Sequence, residues 1–468
     1  MPAIVTNKFR LNNAEQFYES FAEASTSFYL FVGRPQAWTS TTPFGGGTDS
    51  APPTPLDNVD DEYMYYRDML AAKRIASADI QYAIPRHNWT SGTVYDYYRG
   101  DYGAQWSSTA SDIVKTVNAG TNLWASTTLF YVLSSTNNVY ECMWNNAGVV
   151  STDEPTGTSN SELTTSDGYV WKYMYSLTTT QITDFLTADF MPVATNSTVA
   201  GAAIDGAVRH YKVERGGAGY TNGTYATQTL RGDGSSGTFT ATVAGGAVTS
   251  VVAVAAGTAY TFADCRIDAI SGIGTPSTSA IVTPIIGPSG GHGSNAINEL
   301  GGFYVMTNTT ISGTEGGGDF VVDQDFRRVG IVLNPYNYGT TTVATASTLN
   351  ALKSMTFAAS PTPGTFVIDE VITGGTSGAK GLVVAWDSTT RILKYIQTQW
   401  TGVTTAGDYT AFAVSEVVTG AGAATGTIAS LTNPEIAYYS GMSIYAEDRA
   451  PISRATDQTE NIKLIVEF

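Results

Sequence analysis

Residues 168–177 read GYVWKYMYSL, and this stretch predicts a β-strand. Large aromatic side chains recur at every second position, so Tyr169, Trp171, Tyr173 and Tyr175 should share one face of the strand. Such a face could stack on sugar rings, but it could equally pack in a core or against a partner protein. We favour packing and predict these four residues as scaffold or interface residues.

The composition of the whole chain also favours β structure. Only 14% of the 468 residues are charged, while 48 are glycine and 27 are tyrosine. The polar surface must therefore come largely from Thr, Ser, Asn and Gly, which suit extended backbone and tight turns. We predict a mainly β fold with a few short helices, a β-rich α+β protein of several domains. Small sandwich-like or barrel-like β modules should be among them.

An internal repeat supports one such module. FVIDEVITGG begins at Phe366 and FAVSEVVTGA begins at Phe412, and GAKG (378–381) is echoed by AATG (423–426) with a one-residue slip. Two copies are too few for a solenoid. The repeat therefore predicts a duplicated hairpin within one small β sandwich or barrel.

Local signals predict further elements. Residues 12–24 should form a helix capped by Asn12 or Asn13, and Phe28–Val32 a buried strand. A second helix should run from Asp57 or Asn58 to about Ile75, and Thr178–Thr180 should cap a third.

Two hairpins are predicted from turn residues between apolar runs. Leu129–Leu133 and Val139–Trp144 flank the first turn, while Thr238–Val243 and Ala247–Val254 flank Gly245-Gly246.

Shifts in composition divide the chain into five predicted segments. The first is a mixed scaffold domain that includes an arm or loop at 39–56. Four segments follow it: an inserted β module, a central scaffold segment with a Gly-His-Gly-Ser loop, the duplicated-hairpin module, and a C-terminal strand that rejoins the scaffold. Their bounds are 1–200, 201–284, 285–359, 360–432 and 433–468.

The net charge of −17 and the absence of a basic stripe argue against nucleic-acid binding. The longest apolar run, Val251–Ala256, is too short to span a bilayer, so membrane insertion is not expected. The N-terminus shows no signal-peptide pattern. Cys142 and Cys265 are expected to be free and buried, as suits folding in a reducing cytoplasm.

A search for catalytic motifs finds only incomplete matches. Gly374–Gly381 (GGTSGAKG) lacks the second glycine and the hydroxyl residue of a phosphate-binding loop, so a structural turn is favoured. The histidines are His87, His210 and His292, and none is spaced for zinc. We therefore predict no catalytic site, no metal and no cofactor.

His292 lies in GPSGGHGS (287–294), where Gly291 and Gly293 would permit unusual backbone conformations. The loop could contact a ligand or partner, but we favour an irregular loop whose imidazole satisfies backbone carbonyls. Gly291, His292 and Gly293 join Tyr63 and Tyr66 as candidate interface or scaffold residues.

Four stretches resemble the baseplate wedge subunit family of T-even-like contractile-tailed phages, and cyanophage members are most similar. These are IVTNKFRLNNAEQFYESF with FYLFVGRPQAW, then TSDGYVWKYMYSLTTTQITDFLTADFMPV, IIGPSGGHGSNAINELGGFYVM and QTENIKLIVEF. They begin at residues 4, 28, 165, 285 and 458. They occur in the order found in the family.

The resemblance implies a non-enzymatic virion protein of the tail baseplate, assembled in the host cytoplasm. It implies a homodimer that contacts other baseplate wedge proteins, and it supplies no catalytic residues. Two alternatives remain open: a receptor- or glycan-binding tail protein, and a cell-wall hydrolase of the tail tip.

Overall fold

The computed structural model of the chain describes residues 5–38, 46–106, 115–117, 122–312, 321, 324–397, 410–453 and 459–468. Within these residues strands greatly outnumber helices, and the sheets include a closed barrel. The predicted mainly β fold with barrel-like modules is therefore confirmed. Of the predicted arm at 39–56, residues 39–45 lie outside the described part.

The helices of the described residues are short. They are α1 (Asn7–Ser20), α2 (Val59–Arg67), α3 (Thr179–Phe185), α4 (Ser197–Gly201) and α5 (Ala296–Glu299).

The strands of the first half are β1 (Phe28–Gly33), β2 (Met69–Ile75), β3 (Ile80–Pro85), β4 (Ala104–Trp106), β5 (Lys115–Val117), β6 (Tyr131–Leu133), β7 (Asn138–Trp144), β8 (Glu162–Thr164), β9 (Val170–Ser176), β10 (Phe190–Pro192), β11 (Val208–Arg215), β12 (Gly223–Thr229), β13 (Arg231–Gly232) and β14 (Thr238–Ala244).

Those of the second half are β15 (Ala247–Ala255), β16 (Ala263–Asp264), β17 (Ile281–Ile286), β18 (Tyr304–Ser312), β19 (Asp325–Leu333), β20 (Thr348–Asn350), β21 (Lys353–Phe357), β22 (Val371–Gly374), β23 (Lys380–Asp387), β24 (Ile392–Ile396), β25 (Val417–Gly420), β26 (Thr425–Thr432), β27 (Met442–Ser453) and β28 (Thr459–Glu467).

The chain divides into two compact units, and each is built from separated segments. The first comprises residues 1–16, 81–306 and 465–468, and the second comprises residues 17–80 and 307–464. The five predicted segments follow different boundaries, and that finer division stays a prediction.

A five-stranded sheet of order β20-β2-β1-β19-β27 lies in the second unit. Every residue of β1 is buried, which confirms the predicted buried strand. The predicted helix to Ile75 is wrong in its second half. Asn58 caps α2 as expected, accepting from the Asp61 amide at 2.9 Å, but α2 ends at Arg67. The apolar run that follows is buried as β2 between β1 and β20, and this burial overrides its helical propensity.

The closed barrel of the second unit has the order β21-β24-β23-β22-β25-β26. It confirms the predicted duplicated hairpin, because β22 and β25 carry the two repeats and pair antiparallel with Thr373 opposite Thr419. Phe366 and Phe412, which begin the repeats, are both buried in the barrel core.

Equivalent glutamates cross-connect the repeats. Glu416 of the second repeat accepts hydrogen bonds from the amides of Thr376 and Ser377 at 3.2 and 2.9 Å, in the turn of the first repeat. Glu370 of the first accepts from the Gly422 amide at 3.1 Å, in the turn of the second. The amides that resembled a phosphate-binding loop therefore bind a carboxylate of the chain itself, as expected for a structural turn.

Several sheets form the first unit. Three of them have the orders β6-β7-β9-β8, β12-β14-β15 and β11-β17, and β10 pairs antiparallel with β3. Both predicted hairpins are present, as β6 with β7 and β14 with β15, and the second turns at Gly245-Gly246.

Two helix starts show how capping decides an element. Thr178 caps α3 in a capping box with Gln181, as predicted. The first helix begins at Asn7 rather than near residue 12, because Thr6 precedes it and its Oγ1 accepts from the Phe9 amide at 3.3 Å. It ends at Ser20, four residues before the predicted end.

Both cysteines are buried and unpaired, as expected. Among the described residues, no helix has the length and apolar character needed to cross a membrane.

Candidate functional site

The aromatic residues of β9 lie inside the first unit. Tyr169, Trp171 and Tyr173 are buried together with Tyr95 and Tyr140 in one core cluster. The predicted shared face is wrong for Tyr175, which is buried in a second cluster with Met174. A register shift explains the difference: Val139 pairs with Tyr175, while Tyr140 pairs with Tyr173, so Met174 is an extra residue that turns the strand over.

The opposite face of the same sheet carries a row of charges. Lys172 of β9 lies between Glu141 of β7 and Glu162 of β8, which are its register partners on either side. Its Nζ donates to the Asn160 carbonyl at 2.8 Å. Burial lowers the pKa of Lys172, and the two flanking carboxylates oppose that shift. Alternation along β9 thus separates an aromatic core from a polar layer.

His292 covers one end of this row. Its Nδ1 lies 2.6 Å from Glu299 Oε1 and 3.1 Å from Glu141 Oε2. The expectation that the imidazole satisfies backbone carbonyls is therefore wrong, since its partners are two buried carboxylates. Glu299 also accepts from the Gly293 amide at 2.7 Å, which fixes the loop against α5. The Tyr98 ring lies perpendicular to the imidazole, with 4.7 Å between the ring centroids.

The glycines beside His292 permit this close approach. Gly291 and Gly293 have φ of +86° and +83°. A Cβ on Gly291 would lie 2.4 Å from the Ile204 carbonyl oxygen, and one on Gly293 would lie 2.5 Å from Val199 Cγ1. Both positions therefore require glycine for conformation and for space.

The shared environment changes the protonation of the cluster. Burial and the neighbouring Glu299 carboxylate raise the pKa of Glu141 to about 8. Burial alone would lower the pKa of His292, but the charges of Glu141 and Glu299 raise it well above its usual 6.5. Protons held by Glu141 and His292 can therefore offset the negative charge of the buried carboxylates at neutral pH. Within the described part of the chain, Glu141 Oε1 has no hydrogen-bond partner.

The other end of the row is closed by β11. His210 Nε2 lies 3.3 Å from Glu162 Oε2, and Arg209 Nε lies 3.5 Å from Glu162 Oε1. Burial alone would raise the pKa of Glu162, but His210 and Arg209 lower it. A cavity of about 150 Å³ lies between the two ends and is lined by His292, Lys172, Glu162 and Arg209 among others.

The two tyrosine candidates lie in the second unit. Tyr66 is buried, and its hydroxyl donates to the Ser440 carbonyl at 2.6 Å. Tyr63 is 44% exposed and packs edge-on against Tyr439 at 4.6 Å. Of the nine candidates, Tyr63 alone is an exposed aromatic residue, because the others are aromatic core residues or belong to the His292 loop.

Sequence reasoning did not identify Glu141, Glu162, Lys172 or Glu299 as site residues. A signal was present for two of them, because Glu141 and Lys172 interrupt otherwise apolar strand sequences. A charged residue in a buried strand normally has a charged partner.

A larger groove of about 880 Å³ also lies within the first unit. Its walls include Tyr97, Trp144 and His210, and the last two rings lie parallel within 3° at 6.4 Å. Arg99, which also lines it, is paired with Asp101 and Glu214, at 2.9 and 3.1 Å.

Fold and site together define a β-rich protein with buried, paired charges. Comparison with known families is more specific: residues 3–149 match a family model described as Phage-Gp8, Bacteriophage T4 Gp8. This match covers about a third of the 468 residues, and over that part the chain is similar to the T4-like baseplate wedge family, as the sequence resemblance implied. That family is in general non-enzymatic. None of the curated proteins compared matches the chain.

Proposed function

We propose that this protein acts in baseplate assembly by linking neighbouring wedge proteins, and that it does so as a homodimer. The family match over residues 3–149 carries the proposal. The resemblance of 165–193, 285–306 and 458–468 to the same family extends it beyond the matched part. Partners are other wedge proteins of the virion tail, and assembly takes place in the host cytoplasm.

Purified full-length protein tests this proposal directly. Light scattering should give the mass of two chains, and mixing with the other wedge proteins should yield a complex that forms in a defined order. A stable monomer that joins no tail protein would contradict the proposal.

Tyr63 is the candidate residue best suited to test an interface. Its ring is 44% exposed, so Tyr63→Ala removes contact area without opening a core. We expect the variant to fold normally and to join wedge complexes about tenfold or more weakly, as for loss of an aromatic anchor. Tyr338→Ala is the matched control, because Tyr338 lies in the same unit and is 42% exposed. Equal behaviour of the two variants would exclude Tyr63 from the interface.

A receptor- or glycan-binding role is the second candidate, and the aromatic groove favours it. Tyr97 and Trp144 present ring surface beside polar groups, a combination that suits sugar rings. A glycan array probed with the full-length protein and with Trp144→Ala tests this role. Binding that is lost in Trp144→Ala would support it, and no binding by the full-length protein would exclude it.

A further inference from the structure

Three metal-ligating atoms converge inside the first unit, in the Glu141–His292–Glu299 cluster. His292 Nδ1, one Glu141 oxygen and one Glu299 oxygen all lie within 4.8 Å of one another. They come from β7, from the glycine-rich loop 287–294 and from α5. A single ion bound to all three would therefore join segments that are far apart in sequence.

The spacing of the atoms suits a small transition-metal ion. Zn²⁺ binds nitrogen and oxygen ligands at about 2.0–2.2 Å, so two ligands of one ion lie roughly 3–3.5 Å apart. The distance of 3.1 Å between His292 Nδ1 and Glu141 Oε2 already fits, and the 2.6 Å contact to Glu299 needs only a small opening.

The charges also suit a divalent cation. Glu141 and Glu299 are buried, and the charges of two carboxylates with a neutral imidazole would balance a dication, which lowers the cost of burying the charges. Lys172, the nearest cation of the row, already donates to Asn160 and lies beside Glu162.

Two further observations point to a ligand at this cluster. Glu141 Oε1 is a buried carboxylate oxygen that has no hydrogen-bond partner among the residues that the structure describes. The cavity of about 150 Å³ beside the cluster, which His292 lines, has room for water molecules.

We propose that Glu141, His292 and Glu299 bind one Zn²⁺ ion, which stabilises the first unit by tying the His292 loop and α5 to β7. The mixed imidazole and carboxylate ligands favour zinc over Mg²⁺ or Ca²⁺, which prefer oxygen ligands alone. The role is structural and does not depend on the proposed place of the protein in the wedge.

Full-length protein stripped with a chelator and then dialysed against Zn²⁺ provides the test. Metal analysis should find one zinc per chain, X-ray absorption should find only nitrogen and oxygen ligands, and the melting temperature should rise with Zn²⁺ but not with Mg²⁺. Stripped protein that remains folded, takes up no zinc and melts at an unchanged temperature would overturn the proposal. A cluster held together by protons alone would give that result.

Variants separate the site from zinc bound elsewhere. Glu299→Gln preserves shape and should weaken zinc binding by about 100-fold or more, beyond the effect of losing an outer-shell partner. Glu162→Gln is the matched control, because Glu162 also contacts a histidine but lies at the other end of the row. It should retain full zinc binding. An equal loss in both variants, or in neither, would overturn the assignment.

Discussion

At the scale of single residues, charged side chains within apolar strands mark the polar layer. Glu141 interrupts NVYECMW (138–144), and Lys172 interrupts VWKYMYS (170–176). Alternation alone predicts that Lys172 leaves the face of Trp171. It cannot predict that Glu141 pairs with Lys172, because the pairing depends on register. It also cannot predict His292 as a partner, because that contact spans 151 positions.

Asp167 is a second residue whose role follows from its contacts. One oxygen accepts from the amides of Thr152 and Asp153, at 2.8 and 3.1 Å, and the other accepts from Thr165 Oγ1 and the Tyr169 amide, at 2.6 and 3.2 Å. Burial alone would raise the pKa of Asp167, but these hydrogen bonds lower it to about 2. The carboxylate therefore holds the loop before β8 against the turn before β9.

We predict that Asp167→Asn loses stability that depends on pH. The lowered pKa means that the wild-type contribution is fully present above the ordinary pKa of 3.8 and is lost as pH falls toward about 2. The group is partly solvated, so we expect a loss of about 1–2 kcal/mol at pH 7 and a much smaller one near pH 2. Denaturant unfolding at several pH values measures both.

Asp189→Asn is the control for this variant, because Asp189 is an exposed carboxylate of the same unit. It should change stability little at any pH. A loss in Asp167→Asn that is the same at pH 7 and at low pH would contradict the electrostatic explanation.

At the scale of elements, local signals predicted many strands, but they did not predict which strands pair or in which register. The run after α2 contains residues that favour a helix. It nevertheless forms β2, because it pairs with β1 on one side and with β20 on the other. The bulge at Met174 likewise depends on β7, so the sequence of β9 alone could not show that Tyr175 changes face. The barrel was predictable because its two repeats are visible in the sequence and their strands β22 and β25 pair with each other.

The reciprocal glutamates give the barrel a test of its own. Glu416 is buried and accepts from Thr376, Ser377 and Ala413, whereas Glu370 is only half-buried and accepts from fewer amides. Glu416→Gln keeps one acceptor oxygen but places an NH₂ group among amide donors, and the donors that face the NH₂ group are left unsatisfied. We expect it to destabilise the protein by about 1–3 kcal/mol, measured by denaturant unfolding.

Glu370→Gln is the matched control at the equivalent position of the other repeat. Because water reaches this carboxylate, its loss should be smaller. A larger effect at Glu370 than at Glu416 would show that burial does not determine the strength of these contacts.

At the scale of the whole molecule, the chain enters and leaves the barrel on neighbouring strands. Ser354 of β21 pairs with Thr432 of β26, so the two strands run side by side. Just outside them, the Glu435 amide donates to the Asn350 carbonyl at 2.8 Å, and the Asn350 amide donates to Glu435 Oε2 at 2.7 Å. Among the described residues, the barrel core cluster extends from Met355 to Ile428. This arrangement is typical of an inserted module.

We predict that the barrel can be removed without unfolding the remainder. In the variant, residues 353–432 are replaced by about three Gly or Ser residues, a length that can span antiparallel partners roughly 5 Å apart. The remaining chain should unfold cooperatively, and it should still join wedge complexes if the proposed linking role lies outside the barrel. Circular dichroism, thermal unfolding and complex formation measure these outcomes.

The corresponding deletion of residues 208–286 should behave differently, although β11 and β17 also pair antiparallel. Ile285 belongs to a core cluster with residues of β6, β7 and β9, and Arg209 pairs with Glu162, so removal would open a core and break an ion pair. We expect this variant to melt at a clearly lower temperature than the barrel deletion. The two modules differ in that residues 208–286 share a core with the rest of their unit. Equal stability of the two variants would show that this shared core does not decide whether a module can be removed.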